Sequence, residues 1–292
     1  MRWTPGGRSK NLEDLRGRTG GGGMMIGGRG MGIGGAVIAL ILSLVFGVNI
    51  FDNGGGSPAP QQTAPGDVQQ APVNSTPQEE QRIQFVSFVL DDVQQTWAQL
   101  LPKVDNTQYR DAKLDIFRDA VNTACGQAPA EAGPFYCPND QKVYLDLSFF
   151  DELDQRFGAP GDFAQAYVIA HELGHHVQHL LGIEQRVRQL QESRPSAANQ
   201  LSVALELQAD CFAGVWGNST SQRKLLQEGD IDEGLQAAAS VGDDRIQKEM
   251  TGTIRPDRFT HGSSAQRSQW FRRGLESGDP NSCDTFGSLG RG

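Results

Sequence analysis

The pattern of apolar and polar positions along the chain separates one uncharged apolar run from a longer region with helical spacing. Residues 30–51 contain no charged side chain. About 20 apolar residues are enough for a helix to cross the ~30 Å hydrocarbon core of a bilayer. We therefore predict a transmembrane signal anchor over residues 30–51. A buried core helix is the alternative, and the length of the run argues against it.

The segments on both sides of the apolar run lack any apolar period. Residues 1–29 are polar and end in a Gly-rich stretch, and residues 52–82 are rich in Gly, Pro and Gln. Such compositions cannot bury enough apolar surface to form a core. We predict that residues 1–29 are a flexible basic amino terminus and that residues 52–82 are a linker. Residues 287–292 are expected to form a flexible tail.

The remaining region, residues 83–286, carries the patterns of a folded domain. Apolar side chains recur at helical intervals over residues 83–101, and the strand formers of residues 142–148 predict a β-strand. Further helices are predicted over residues 159–182, 199–216 and 230–247. Asp162 and Glu233 are expected at helix starts, and Gly182 at a left-handed stop. The predicted fold class is α+β, mainly helical, with a small sheet.

Charge places limits on partners and on orientation. The net charge of -9 argues against nucleic acid as a partner, because such binding needs clustered Lys and Arg. Basic residues before the apolar run are Arg2, Arg8, Lys10, Arg16, Arg18 and Arg29, and the next one is Arg82. The positive-inside rule then predicts a cytoplasmic amino terminus and an extracytoplasmic domain. A cleaved signal peptide is the alternative, but no clear cleavage site follows the run.

All four cysteines lie after the apolar run, which suits export to an oxidising compartment. The short separation between Cys125 and Cys137 favours that pair, which leaves Cys211 with Cys283. Free buried thiols are the alternative. A zinc cluster of cysteines is disfavoured because the chain has no CxxC spacing.

The sequence HELGH, residues 171–175, is the strongest chemical signal. His171 and His175 lie one turn apart on the predicted helix and can aim at one zinc ion, while Glu172 can reach water beside it. Such a motif is expected by chance roughly 0.004 times in a chain of this composition. A polar helix face is therefore the weaker interpretation.

A catalytic zinc needs a third protein ligand and an open position for water. The metzincin pattern fails, because Gln178 and Leu181 stand where it needs Gly and His. Glu206 on the next predicted helix is the candidate third ligand. Asp210, one turn later, is the candidate acceptor for a proton on the outer nitrogen of His171. A solvated helix face is the alternative for this pair.

His261 is the only histidine outside the metal helix. It is a candidate donor to the oxyanion that develops during hydrolysis, and a structural histidine holding a turn is the alternative. Tyr167 and Arg267 are weaker candidates for the same role. His176 and His179 are expected to pack or to meet solvent, and neither belongs to the predicted metal set.

Several blocks of the chain resemble the bacterial neutral zinc metallopeptidases of the YpfJ-like family. The blocks are MRWTPGGRSKNLEDLRG, GPFYCP, VYLDLSFF, RFGAPGDFAQAYVIAHELGHHVQ, LELQADCFAGVW and FTHGSSAQRSQWF. The resemblance implies a membrane-anchored protein with a zincin-like domain that hydrolyses peptide bonds. It also implies that His171 and His175 bind zinc with Glu206, and that Glu172 is the catalytic base.

The predicted function is that of a zinc metallopeptidase of the gluzincin type, in which Glu172 assists the attack of zinc-bound water on a peptide bond. The expected cofactor is one catalytic Zn²⁺, and the expected substrate is a peptide or protein. Residues 142–148 are the candidate edge strand for an extended substrate, with an internal strand as the alternative. Two other functions stay open: a zinc-stabilised envelope scaffold without activity, and a zinc amidase acting on cell-wall peptide.

Overall fold

The computed structural model describes residues 1–17, 75–129, 132–287 and 289. The predicted anchor, residues 30–51, and most of the predicted linker lie outside these ranges. Among the helices that are described, none has the length and apolar character required to cross a bilayer.

The described residues form eight α-helices and six β-strands, which agrees with the predicted α+β, mainly helical class. The helices are α1 (Pro77–Asp105), α2 (Phe149–Gln155), α3 (Asp162–Leu180), α4 (Ile183–Ser193), α5 (Ala198–Gln222), α6 (Asp230–Ser240), α7 (Asp243–Thr251) and α8 (Ser264–Ser277). The strands are β1 (Leu12–Asp14), β2 (Lys113–Phe117), β3 (Ala120–Thr123), β4 (Gly126–Pro129), β5 (Phe135–Cys137) and β6 (Lys142–Asp146).

Four of the strands form one sheet in the order β1-β2-β6-β5, and β3 pairs with β4 in a hairpin. Strands β1, β2 and β6 are parallel, whereas β5 runs antiparallel to β6. The strand predicted over residues 142–148 is therefore present, but it lies between two other strands. Strand β5, which the sequence pattern did not reveal, forms the edge of the sheet beside α3.

The two faces of the sheet carry different apolar side chains because successive residues of a strand point to opposite faces. One face packs on the helical core through Leu114, Ile116, Val143 and Leu145. The other face packs on the β3–β4 hairpin region through Phe117, Phe135 and Tyr144. The predicted disulfide between Cys125 and Cys137 joins this region to β5.

Close helix crossings bring the central helices together. A Cβ atom at Gly174 in α3 would lie only 3.0 Å from the carbonyl oxygen of Ala209 in α5. A Cβ atom at Gly274 in α8 would overlap the carbonyl group of Cys211 in α5. The predicted disulfide between Cys211 and Cys283 fastens the chain after α8 to α5. Helix α5 is thus held against both α3 and α8.

Several helix boundaries differ from their predictions. Helix α1 begins at Pro77, where the Thr76 side chain accepts a hydrogen bond from the amide of Glu79, so the ordered region starts before residue 83. The helix predicted over residues 230–247 is broken into α6 and α7, because the side chain of Asp243 binds the backbone of residues 260–262. Gly182 adopts the predicted left-handed conformation, with φ of 69°.

The predicted caps at the starts of α3 and α6 are not formed. Gly161 occupies the cap position of α3, and Asp162 is already helical. Glu233 makes no capping box in α6, since its carboxylate accepts a hydrogen bond from the amide of Phe163 in α3 at 3.1 Å. The spacing of Glu233 predicted a local cap, but its side chain makes a contact between two helices instead.

The first 17 residues differ from the prediction of a flexible amino terminus. Strand β1 belongs to the main sheet, Met1 is 4% exposed within the core, and the Trp3 ring packs edge-on against Phe85. The composition of residues 1–29 is polar on average, but a strand of three residues and two large apolar side chains are enough to dock residues 1–17.

Candidate metal centre

Helices α3 and α5 bring three metal-binding residue types together. His171 and His175 lie one turn apart on α3, and Glu206 faces them from α5. One ligand atom from each residue lies within 4.8 Å of the others. The Nε2 atom of His171 is 3.3 Å from one Glu206 oxygen, and the Nε2 atom of His175 is 3.5 Å from the other. The three residues that the sequence proposed as ligands therefore converge on one point.

The outer nitrogen of each imidazole is held by a second side chain. His171 Nδ1 is 2.8 Å from Asp210 Oδ1, and His175 Nδ1 is 2.9 Å from Gln178 Oε1. An acceptor at Nδ1 fixes the proton there and leaves a lone pair on Nε2. Two imidazole nitrogens and one carboxylate, with Glu172 beside them in a pocket, are a donor set that fits catalytic zinc.

Gln178 is itself held in place, which explains why it can orient His175. Its amide nitrogen donates to the backbone oxygen of Leu205 at 2.7 Å and lies 3.1 Å from the side-chain oxygen of Gln208. The sequence analysis considered Gln178 only as a failed metzincin position. Its actual role depends on how α3 crosses α5, and a helical pattern alone does not reveal that crossing.

Asp210 is fully buried and lies at the centre of an ionic network. Arg267 on α8 donates to both of its carboxylate oxygens, at 2.8 and 2.9 Å, and the Tyr167 hydroxyl also donates to it. Burial raises the pKa of Asp210, but the charges of Arg267 and His171 outweigh burial and hold it below its usual value. Asp210 therefore stays ionised, and Arg267 and Tyr167, which also line the pocket, both donate hydrogen bonds to it.

Glu172 lies in the same pocket as the three candidate ligands and is 8% exposed. Burial is the largest influence on its pKa and raises it to about 7, with the charge of Glu206 adding to the effect and that of His171 opposing it. The backbone of Tyr136 in β5, which lines the same pocket, opposes the rise in this pKa by a smaller amount. Strand β5 and Glu172 therefore lie at the wall of one pocket.

His261 lies on the wall of the same pocket, between α7 and α8. Asp243 holds its Nδ1 atom at 3.1 Å and also accepts hydrogen bonds from the backbone amides of residues 260–262. The Nε2 atom is buried and has no hydrogen-bond partner among the described residues. Burial lowers the pKa of His261, but Asp243 and Glu206 outweigh it and raise the value.

The two remaining histidines have structural partners. His176 is fully buried between the Tyr136 hydroxyl, at 2.9 Å, and the backbone oxygen of Arg110, at 2.7 Å. His179 lies 3.2 Å from Glu184. Neither belongs to the cluster formed by His171, His175 and Glu206.

The rest of the pocket wall is largely apolar, and the sequence analysis did not identify it. Residues 132–136 form one side, at and just before the edge strand β5. Other lining side chains come from α2, the loop before α3, α3 itself and α7, namely Phe149, Phe157, Val168 and Ile246. Val168 precedes Glu172 by one helical turn, which was the only available sequence signal for this wall.

Comparison with known proteins identifies a family to which the chain is similar over most of its length. A family model described as "Putative neutral zinc metallopeptidase" matches residues 1–286. The uncharacterized protein YpfJ of Escherichia coli strain K12 is 46% identical over 98% of this chain and 99% of its own length. The uncharacterized protein Rv2575 of Mycobacterium tuberculosis is 45% identical over 69% of this chain and 70% of its own. No solved structure matches the chain significantly. The chain therefore belongs to the neutral zinc metallopeptidase family.

Proposed function

We propose that this chain is a zinc-dependent peptidase in which Glu172 acts as the general base. One observation carries the proposal: a buried carboxylate outside the ligand set shares a pocket with His171, His175 and Glu206. A structural zinc site is normally closed by four protein ligands, often thiolates. Here all four cysteines are engaged in disulfides, and among the described residues only three ligand atoms converge at this point. This argues against the scaffold alternative.

The role proposed for each residue is based on its contacts. His171, His175 and Glu206 would hold one zinc ion, which when bound supplies a Lewis acid that acidifies water and polarises a carbonyl group. Glu172, buried in the same pocket as the three ligands, accepts the proton of the attacking water. The same carboxyl group then delivers that proton to the leaving amine. Asp210 and Gln178 keep both imidazoles in the tautomer that this work requires.

His261 is proposed as the donor to the developing oxyanion. Its ring is fixed at Nδ1 by Asp243, and the raised pKa of His261 favours the doubly protonated ring, in which Nε2 also carries a proton and can donate. That atom is buried within the pocket and lacks a protein partner among the described residues, which leaves it available to a substrate oxygen. A preorganised donor of this kind stabilises charge that develops only in the transition state.

An extended peptide suits the shape of the pocket. Strand β5 pairs with β6 on one side only, and its other side, with residues 132–134 before it, lines the pocket. A substrate segment could add to this edge through backbone hydrogen bonds. The sequence analysis gave this role to residues 142–148, but the strand there is internal. We therefore propose β5 in its place. The aromatic rings of Phe149 and Phe157 favour a substrate with a bulky apolar side chain next to the scissile bond.

The proposed compartment is an oxidising one outside the cytoplasm. Both disulfides are within the described domain, and such bonds persist mainly in exported proteins. Attachment to a membrane through residues 30–51 remains part of the proposal, although those residues lie outside the described ranges.

The test compares two glutamate variants of the zinc-loaded protein on a peptide library. Glu172→Gln should lower kcat by about 10²–10⁴-fold while zinc content and folding stay unchanged, because the amide cannot accept the proton. Glu192→Gln, at an exposed position of α4, is the matched control and should retain activity. Full activity in Glu172→Gln would show that Glu172 is not the general base.

The same library separates the alternatives. A zinc-loaded native protein that cleaves no peptide would favour the scaffold function. Cleavage of isolated cell-wall cross-link peptides, with no cleavage of ordinary peptides, would favour the amidase function. Cleavage at bulky apolar residues is the outcome that we expect.

A further inference from the structure

The first 17 residues are built into the catalytic domain by backbone pairing. Strand β1 pairs in parallel with β2, with Leu12 opposite Leu114 and Asp14 opposite Ile116. The ladder extends beyond the strand itself, because the amide of Leu114 donates to Asn11 and the amide of Leu15 donates to Ile116, both at 2.8 Å. We refer to residues 1–17 as the amino-terminal arm. The arm supplies one edge of the main sheet.

Side chains of the arm are buried against the domain. The Trp3 ring lies 5.3 Å from the Phe85 ring and 6.3 Å from the Phe88 ring of α1. Ser9 and Asn11 are 8% and 5% exposed, and they donate hydrogen bonds to Asp91 and Asp111 of the domain. These are interior contacts of a folded unit, not those of a segment free in solution.

Three of the four basic side chains of the arm, Arg8, Lys10 and Arg16, are each paired with a carboxylate of the domain. The Arg16 side chain is 1% exposed and lies 2.6 Å from both Asp14 and Glu79. Arg8 pairs with Glu80 at 2.6 Å, and Lys10 lies 3.8 Å from Asp111. The positive-inside rule counts such residues as free charges that resist translocation. In this fold their charges are compensated by the domain itself.

We propose that the amino-terminal arm and the domain formed by residues 75–287 fold together on the same side of the membrane. A single crossing between them would separate the two parts by a hydrocarbon core of ~30 Å, and none of the contacts above could form. The polypeptide between residues 17 and 75 must then begin and end in one compartment. The two disulfides place that compartment outside the cytoplasm, which replaces the expectation of a cytoplasmic amino terminus.

The test labels single cysteines in cells that express the full chain. Gly6→Cys places a thiol on the arm at an exposed position where a Cβ atom meets nothing within 4 Å, and Glu228→Cys places one on an exposed turn of the domain. All four native cysteines are in disulfides, so the unmodified chain gives the background. The reagent is a membrane-impermeant maleimide, applied before and after permeabilisation of the inner membrane.

We expect the two variants to be labelled under the same conditions and within about twofold of each other. Labelling of Glu228→Cys in intact inner membranes, with Gly6→Cys labelled only after permeabilisation, would overturn the proposal. Variants that fail to fold are recognised by loss of the native disulfides on nonreducing gels.

A second measurement tests the contact itself. Lys142 lies 3.0 Å from Glu13 of the arm, so a zero-length carbodiimide reagent should join them within one chain of the full-length protein in its membrane. Peptide mapping of the monomer band should find the link, and Glu13→Gln should abolish it. Absence of links from the domain to both Glu13 and Lys10 would contradict docking, whatever the labelling result. Neither measurement depends on peptidase activity.

Discussion

Helix α3 carries two clusters of metal-binding residue types, one at its first turn and one near its middle. Asp162 groups with Asp230 and Glu233, while His171 groups with His175 and Glu206. In each cluster, three possible ligand atoms lie within 4.8 Å of one another. Proximity therefore does not distinguish the two clusters, and the difference between them must come from their surroundings.

The first cluster is already supplied with donors from the protein. The Met1 ammonium group contacts Asp162 and lies 3.3 Å from Asp230, and the amide of Phe163 donates to Glu233. In the second cluster, Asp210 and Gln178 accept hydrogen bonds from the outer imidazole nitrogens, which turns the inner nitrogens toward Glu206. The comparison shows that the direction of the supporting hydrogen bonds distinguishes a site that can receive a cation from one that the protein already fills.

The largest expected effect is the loss of zinc when a carboxylate is neutralised in the second cluster only. Glu206→Gln should reduce zinc content from about one ion per chain to a small fraction, because a catalytic site has only three protein ligands. Glu233→Gln is the matched control and should retain zinc. Metal analysis after dialysis against a weak chelator measures both. Zinc lost from the Glu233 variant and kept by the Glu206 variant would show that the first cluster binds zinc and the second does not.

The next largest effect concerns His261, whose Nε2 atom lies in the pocket without a hydrogen-bond partner among the described residues. His261→Ala should lower kcat by about 10²–10³-fold, as the removal of one oxyanion donor does. Zinc content should not change, because His261 lies outside the cluster of candidate ligands. His179→Ala is the control, since its ring pairs with Glu184 instead. Equal kcat values in the two variants would show that His261 only supports the turn at residues 260–262.

A smaller effect is expected from the residue that orients His171. Asp210→Asn should raise the zinc dissociation constant by about 10–100-fold, the usual consequence of losing such a partner. Asp92→Asn is a control of the same type, because Asp92 is also buried and binds Arg223 and the indole of Trp216, far from the metal centre in the fold. Both changes should destabilise the fold. Competition with a chromogenic chelator should detect weaker zinc binding only in the Asp210 variant.

Sequence patterns identified the parts of this centre that depend on local geometry. His171 and His175 converge because residues four apart share a helix face, and the helical periods of α3 and α5 are visible in the sequence. The left-handed conformation of Gly182 also follows from the sequence alone. In each case the information lies within one or two turns of a single helix.

Other features depend on how helices and strands cross, and sequence periodicity cannot supply that. Arg267 reaches Asp210 only because α8 packs against α5 at Gly214 and Gly274. Strand β5 has three residues, too few to show an alternating pattern, and yet it forms the sheet edge that lines the pocket. The docking of residues 1–17 was missed for a similar reason, since composition averages over the few side chains that are buried.

The smallest expected effect belongs to the first cluster and tests whether its carboxylates serve the fold. Glu233→Ala removes the acceptor for the amide of Phe163 at the start of α3, so the free energy of unfolding should fall by about 1 kcal/mol. Glu233→Gln retains a side-chain oxygen that can accept this hydrogen bond, so its free energy of unfolding should fall by less. Denaturant titration at fixed zinc concentration measures both, with zinc content unchanged. A loss of zinc with either variant would mean that the two clusters are coupled.

The pH dependence of stability in the same variants shows whether the ionised Glu233 side chain stabilises or destabilises the fold. Burial raises the pKa of Glu233, and the charges of Asp162 and Asp230 add to it. The folded chain then holds this proton more tightly than the unfolded chain, so its contribution to stability is lost as pH rises through the raised pKa. Glu233→Gln carries no such proton. Its stability relative to the native chain should therefore increase as pH rises from the ordinary glutamate pKa through the raised pKa of Glu233. A constant difference over that range would show that the Met1 ammonium group neutralises Glu233 together with its two neighbours.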